Sequence, residues 1–148
     1  MDLDLIAKLR KEGYRFTGIR KGIMAIFKDC DCPLTVADLA KRLQSRSVKA
    51  DKATIYRAIN FFKAKGLIVE IEFGDGKKHY ERASGKHHHH LVCVKCGKIE
   101  DVTLLHDLED EESVISARKK FRVLRHSLEF FGICAKCLGS NTLKKLTV

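Results

Sequence analysis

The chain has 148 residues, 45% of them hydrophobic, with six cysteines, one proline and a formal charge of +10. That length suits one ordinary domain or two small ones, and no apolar run approaches the ~18 residues that a membrane span needs. Asp2 and Asp4 stand where a secretory leader would be basic and then apolar, so the start does not read as a secretory signal, and a cytoplasmic protein with no membrane partner is expected.

The positive charge is uneven, with 17 Lys and Arg against 10 Asp and Glu in residues 1–80, and 12 against 9 in residues 81–148. A basic first half points to a polyanion, most simply nucleic acid.

Taken in order, Leu3, Ile6, Ala7 and Leu9 suggest a short helix over residues 2–11, ended near Gly13. Thr17 can cap a second helix carrying Ile19, Ile23, Ile26 and Phe27. Thr35-Val36-Ala37-Asp38 has the pattern of a capping box. Behind it, Val36, Leu39, Ala40 and Leu43 place one apolar face on a helix over 35–44. Asp51 can cap the next helix, about residues 52–65, and Gly66 can end it.

On that last helix Ile55, Ile59 and Phe62 should be core, while Tyr56, Arg57 and Asn60 share another face, with Ala53 a turn earlier. Tyr, Arg and Asn are suited to a DNA groove, where they can meet thymine methyls, guanine edges and phosphates. Two helices joined by a turn make a helix-turn-helix. The β-formers of residues 67–73, the Gly74-Asp75-Gly76 turn and a return strand over residues 77–81 add a wing, with Lys77 and Lys78 on it. The bland alternative is a basic protein-binding module of the same shape.

Residues 82–86 are short and polar enough to be a hinge. Beyond them His87-His88-His89-His90 runs straight into Leu91-Val92-Cys93-Val94, an apolar strand rather than a purification-tag context. A second strand over residues 98–102 returns past a Cys93-x-x-Cys96-Gly97 knuckle. Residues 107–122 fit an exposed helix, and Ser127 to Ile133 a strand leading into Cys134-x-x-Cys137. So small an α/β layer leaves an apolar sheet face or edge that a second copy would cover.

Cys93, Cys96, Cys134 and Cys137 form two Cys-x-x-Cys pairs separated by 37 residues. Four thiolates close a tetrahedral Zn²⁺ and leave no open position, so the expected site is structural. The pattern favours a reduced protein holding zinc over a disulfide framework. Side chains alternate along a strand, so His88 and His90 face one way and His87 and His89 the other. If the knuckle centres on residues 95 and 96, Asp101 lies opposite His90. One face then offers His88, His90 and Asp101, with Glu81 across the hinge. The other offers His87 and His89, for which Glu109 and His126 are the plausible partners. Imidazole with carboxylate suits Fe²⁺, Mn²⁺ or Zn²⁺.

At this point the chain resembles the ferric uptake regulator family of bacterial metal-sensing repressors. The resemblance is carried by Gly13 to Thr17 with Arg20, by Ala53 to Arg57, by Tyr80-Glu81, by His87 to Ile99 with Asp101, by Arg125 to Leu128 and by Cys134 and Cys137. It implies an α+β protein with an N-terminal winged helix-turn-helix domain (1–81), a hinge (82–86) and a C-terminal α/β dimerisation domain (87–148). It implies structural zinc on Cys93, Cys96, Cys134 and Cys137, and a regulatory hinge site on Glu81, His88, His90 and Asp101. A second site falls on His87, His89, Glu109 and His126. DNA contacts map onto Arg20, Thr54, Tyr56 and Arg57.

Some positions depart from the pattern. Many members carry a His just before the helix at 35–44, where this chain has Pro33 with Cys32 beside it and Cys30 nearby. Either the hinge site lacks that ligand or a cysteine replaces it. Zinc sensors usually place a Cys near position 81, and Glu81 favours iron. The expected function is a non-enzymatic, homodimeric, metal-dependent repressor that binds a double-stranded operator in response to Fe²⁺. Alternatives are a peroxide-, manganese- or zinc-responsive relative and, more remotely, a metal store or a zinc hydrolase, for which no positioned base is visible.

Overall fold

A computed structural model describes residues 7, 9–30, 32–83, 88–106 and 108–139. The chain divides into two compact units, residues 1–84 and 85–148. Of the helix expected over residues 2–11, residues 9–11 are helical and most of the rest lies outside the described residues, as do His87 and most of the expected hinge.

In the first unit, helix α1 is Gly18–Asp29, strand β1 Leu34–Thr35, helix α2 Val36–Ser45, helix α3 Lys52–Ala64, and strands β2 and β3 are Ile68–Glu72 and Lys78–Arg82. Each helix starts where a short polar side chain satisfies an orphan N–H. Thr17 accepts from the Arg20 N–H at 3.3 Å, and Asp51 from the Thr54 N–H at 2.6 Å. The capping box at α2 is complete, with the Asp38 N–H donating to Thr35 Oγ1 at 3.2 Å and the Thr35 N–H to Asp38 Oδ2 at 2.9 Å.

The helices bury one apolar face each. Ile23 and Phe27 of α1, Leu39 and Leu43 of α2, and Ile55 and Ile59 of α3 are all at most 1% exposed and belong to one cluster. Burying such a side chain fully contributes roughly 1.5–3 kcal/mol. Gly22 is where α1 meets Leu43, since a Cβ added there would lie 2.7 Å from Leu43 Cδ2. The antiparallel sheet has the order β1-β3-β2, with Leu34 opposite Tyr80 and Glu70 opposite Tyr80 on the other side. Gly74 and Gly76 take φ of +73° and +72° at the tip of the wing, which only glycine adopts without strain. Glu70 ties this wing to α3, pairing with Lys63 of α3 and, at 2.6 Å, with Lys78 of β3.

In the second unit, strand β4 is His89–Cys93, β5 Ile99–Val102, helix α4 Glu109–Lys119, strand β6 Glu129–Gly132 and the short helix α5 Ala135–Leu138. The sheet order is β5-β4-β6, antiparallel between β4 and β5 and parallel between β4 and β6. Helix α4 falls inside the expected 107–122 span. Glu109, Asp110, Glu111 and Glu112 stand in its first turn and Arg118 and Lys119 in its last, matching the helix dipole. Lys120, left-handed at φ 50°, ends it. No residue of α4 is buried, and Phe130 and Phe131 of β6 are 41% and 54% exposed.

Two features depart from expectation. The two-residue strand β1 joins the winged-helix sheet, and Cys30 is joined to Cys32 by a disulfide. The sequence favoured a fully reduced chain. In the oxidised form neither sulfur is a thiolate that could take the place of a hinge histidine.

Candidate metal centres and recognition helix

Cys93 ends β4, Cys96 lies in the knuckle, and Cys134 and Cys137 flank the start of α5. The parallel pairing of β4 with β6 sets Cys93 opposite Gly132, which brings the second Cys-x-x-Cys alongside the first. All four sulfurs lie within 4.8 Å of one another, and Cys96 Sγ is 3.8 Å from Cys134 Sγ. A tetrahedron of sulfurs at ~2.3 Å from zinc has edges of roughly 3.8 Å, so the cluster fits Zn²⁺.

The backbone prepares these thiols. The Cys134 N–H donates to Cys93 Sγ at 3.3 Å. That bond, with help from the Cys96 N–H, draws the Cys93 thiol down to about 6. Cys137 is pushed up to about 12 by burial and by bonding to the neighbouring thiols. A cation would complete the set, with Cys93 the sulfur most readily made anionic.

The histidine faces follow the strand. His90 lies opposite Asp101, with Nε2 at 3.7 Å from Asp101 Oδ1. The ring of His88 is 5.0 Å from that of His90 on the same side. Glu81 lies on β3 of the first unit, and Val69 faces it across the sheet. On the other side, His89 is 3% exposed and its ring is 5.5 Å from that of His126. His89 Nδ1 is 3.2 Å from the Leu128 carbonyl, which only accepts, so Nδ1 is the donor of that bond. His126 Nδ1 donates to Glu112 Oε1 at 2.6 Å, a carboxylate–imidazole pair of the kind that orients metal-ligating histidines.

Glu112 is the residue that sequence reasoning missed. Glu109, the acidic residue expected there, opens α4 one turn earlier. The signal that could have found Glu112 is its place one turn on, at i+3 of the same helix. His87 lies outside the described residues.

On α3, Ile55, Ala58, Ile59 and Phe62 are buried, whereas Ala53, Tyr56, Arg57 and Asn60 form an exposed stripe with Tyr56 45% exposed. Thr54 is half-buried beside the Asp51 cap. Arg20 stacks its guanidinium over Phe61 at 3.6 Å and donates to the Arg15 carbonyl at 2.7 Å. That double hold fixes its head at the start of α1.

A winged helix-turn-helix joined to an α/β unit with metal-ligand clusters defines a class of metal-binding transcription regulators. The family model described as the ferric uptake regulator family matches residues 11–131. The chain is 36% identical to the ferric uptake regulation protein of Neisseria gonorrhoeae over 135 residues, covering 89% of this chain and 92% of that one. It is 31% identical to the peroxide-responsive repressor PerR of Staphylococcus epidermidis, covering 89% and 87%. The ferric uptake regulator of Francisella tularensis solved with iron superposes with a TM-score of 0.74 at 26% identity, covering 85% of this chain and 96% of that one. The chain belongs to the ferric uptake regulator family. It is a metal-responsive regulator with an α+β fold and not an enzyme. No described helix is long and apolar enough to cross a membrane.

Proposed function

We propose that this chain is a cytoplasmic, homodimeric repressor that binds a double-stranded DNA operator when Fe²⁺ occupies its hinge. The observation that carries the reading is the His88, His90 and Asp101 face, because it starts only seven residues after Glu81 at the end of the wing. A metal held by Glu81, His88, His90 and Asp101 couples the DNA-binding unit to the second unit. Metal and DNA then strengthen each other's binding reciprocally. Nitrogen and oxygen donors admit Fe²⁺, Mn²⁺ or Zn²⁺, and Glu81, where zinc sensors usually carry Cys, favours iron. The 36% likeness to a ferric uptake regulation protein points the same way.

Zn²⁺ on Cys93, Cys96, Cys134 and Cys137 is assigned a structural role, since four thiolates leave no open position. His87, His89, Glu109 and His126 make the second site, with Glu112 orienting His126. Tyr56 and Arg57 read the major groove from α3, while Arg20 and Thr54 touch the backbone. The second unit has little core of its own. Among its described residues Cys93, His89 and His90 are the buried ones, while Val114, Ile115, Phe121 and Phe131 are exposed, which supports a second copy as their cover.

The test is a DNA-shift titration of the zinc-loaded protein with Fe²⁺, Mn²⁺ and Zn²⁺ separately, against promoter fragments of metal-uptake genes. Retardation that needs added metal, and needs least Fe²⁺, is expected. Retardation at equal protein concentration with and without metal would overturn the reading. One other signal has support: the chain is also 31% identical to a peroxide-responsive repressor. Hydrogen peroxide added to the Fe²⁺ form would then abolish retardation irreversibly.

A further inference from the structure

We propose that Cys30 and Cys32 are a reversible dithiol–disulfide couple at the entrance to the helix-turn-helix, with Cys32 as the reactive sulfur. The pair is distinct from the four-cysteine cluster: Cys93, Cys96, Cys134 and Cys137 gather in the second unit, while Cys30 and Cys32 are bonded to each other in the first. A cross-link that encloses one residue removes little entropy from the unfolded chain, so it is a poor staple. The unit does not need one, since its core is already closed around Phe27, Leu39 and Phe62. A disulfide in a reducing compartment that does not serve as a staple is usually transient or redox-sensing.

The surroundings distinguish the two sulfurs. Both residues are half-buried at the rim of the core, within reach of small reagents. Arg42 of α2 directs Nη2 to Cys32 Sγ at 4.0 Å. A guanidinium beside a sulfur favours its thiolate, which is the nucleophile in exchange. Cys30 is the C-cap of α1, and its Sγ is directed instead to the Cys32 carbonyl at 4.0 Å.

The co-reactant is a low-molecular-weight disulfide. The Cys32 thiolate attacks one of its sulfurs, the S–S bond breaks, and one small thiolate leaves and takes up a proton. The Cys30 thiolate then attacks Cys32 Sγ and expels the second small thiol. Two protein thiols are oxidised to one disulfide, and one small disulfide is reduced to two thiols. Excess thiol drives the reverse. The couple matters to the fold because Cys30 ends α1, and Leu34 and Thr35, which follow, pair with β3 and cap α2. Closing or opening it therefore acts on both flanks of the helix-turn-helix. None of this depends on which metal the hinge takes.

The experiment equilibrates the full-length, zinc-loaded protein in mixtures of oxidised and reduced dithiothreitol, traps thiols by alkylation and weighs the peptide holding both cysteines. Its disulfide fraction should rise from about a tenth to about nine tenths over roughly a hundredfold change in the ratio, at constant zinc content. With oxidised glutathione, Cys30→Ser should form a mixed disulfide at Cys32 about tenfold faster than Cys32→Ser does at Cys30. A pair that stays oxidised in excess reductant, stays reduced in excess oxidant, or oxidises only as zinc is lost would overturn the couple. Equal rates in the two variants would overturn the role of Cys32.

Discussion

Cys93 is drawn down to about 6 and Cys137 pushed up to about 12 within one cluster of sulfurs, so at neutral pH the metal-free cluster keeps at least one proton that Zn²⁺ must displace. Metal and protons therefore compete. Zinc affinity should fall with pH, by about tenfold per unit for each proton released, in chelator competition between pH 8 and pH 6. A pH-independent affinity would mean that the thiols are already ionised without metal. Because binding energy at such a site is largely folding energy, Cys93→Ser should lose tightly held zinc and the folded second unit together. A folded, zinc-free Cys93→Ser dimer would refute the structural role. Asp38 gives a second proton-linked term. Burial alone would raise its carboxyl, but the Thr35 hydroxyl and N–H outweigh burial and hold it below the ordinary 3.8. A depressed folded value means that the capping contribution is complete above 3.8 and is lost as pH falls through the lower folded value. Thr35→Ala should cost about 1 kcal/mol near neutrality by urea denaturation, and less at the acid end.

Helix α3 separates its two jobs by face, with Ile55, Ile59 and Phe62 inward and Tyr56, Arg57 and Asn60 outward. Tyr56→Ala with Arg57→Ala should therefore abolish specific DNA retardation while zinc content and thermal midpoint stay near the parent's. Retention of parental operator affinity would show that another element reads the DNA. At the α1–α2 contact, Gly22→Val forces a side chain against Leu43, which is fully buried. It should destabilise by roughly 1–3 kcal/mol in denaturant melts. These elements were legible because each had a local mark: Thr17, Thr35 with Asp38, and Asp51 fixed where helices start, and the knuckle length fixed Asp101 opposite His90. Strand β1 was not legible, since two residues carry no period. That Glu112 meets His126 was hidden because the Leu108 N-cap of α4 makes no side-chain cap bond to anchor the helical phase. The Cys30–Cys32 bond was hidden by the same cysteine arithmetic that found the other four, since Cys-x-Cys marks neither a zinc knuckle nor a usual staple.

At the scale of the whole molecule, two units that differ in charge and chemistry are joined by a short segment flanked by Glu81 and His88. The central claim is that metal at this junction governs DNA affinity, while the sulfur cluster only holds the second unit folded. His90 separates these roles, because its ring meets Asp101 and His88. The decisive measurement is the DNA affinity of His90→Ala, with and without Fe²⁺, on protein shown to retain its zinc and its dimer. The parent should bind its operator at least about tenfold more tightly with Fe²⁺, the lower end of ordinary allosteric coupling. His90→Ala should lose most of that gain and keep the zinc. A variant whose affinity still rises with Fe²⁺ as the parent's does would contradict the account.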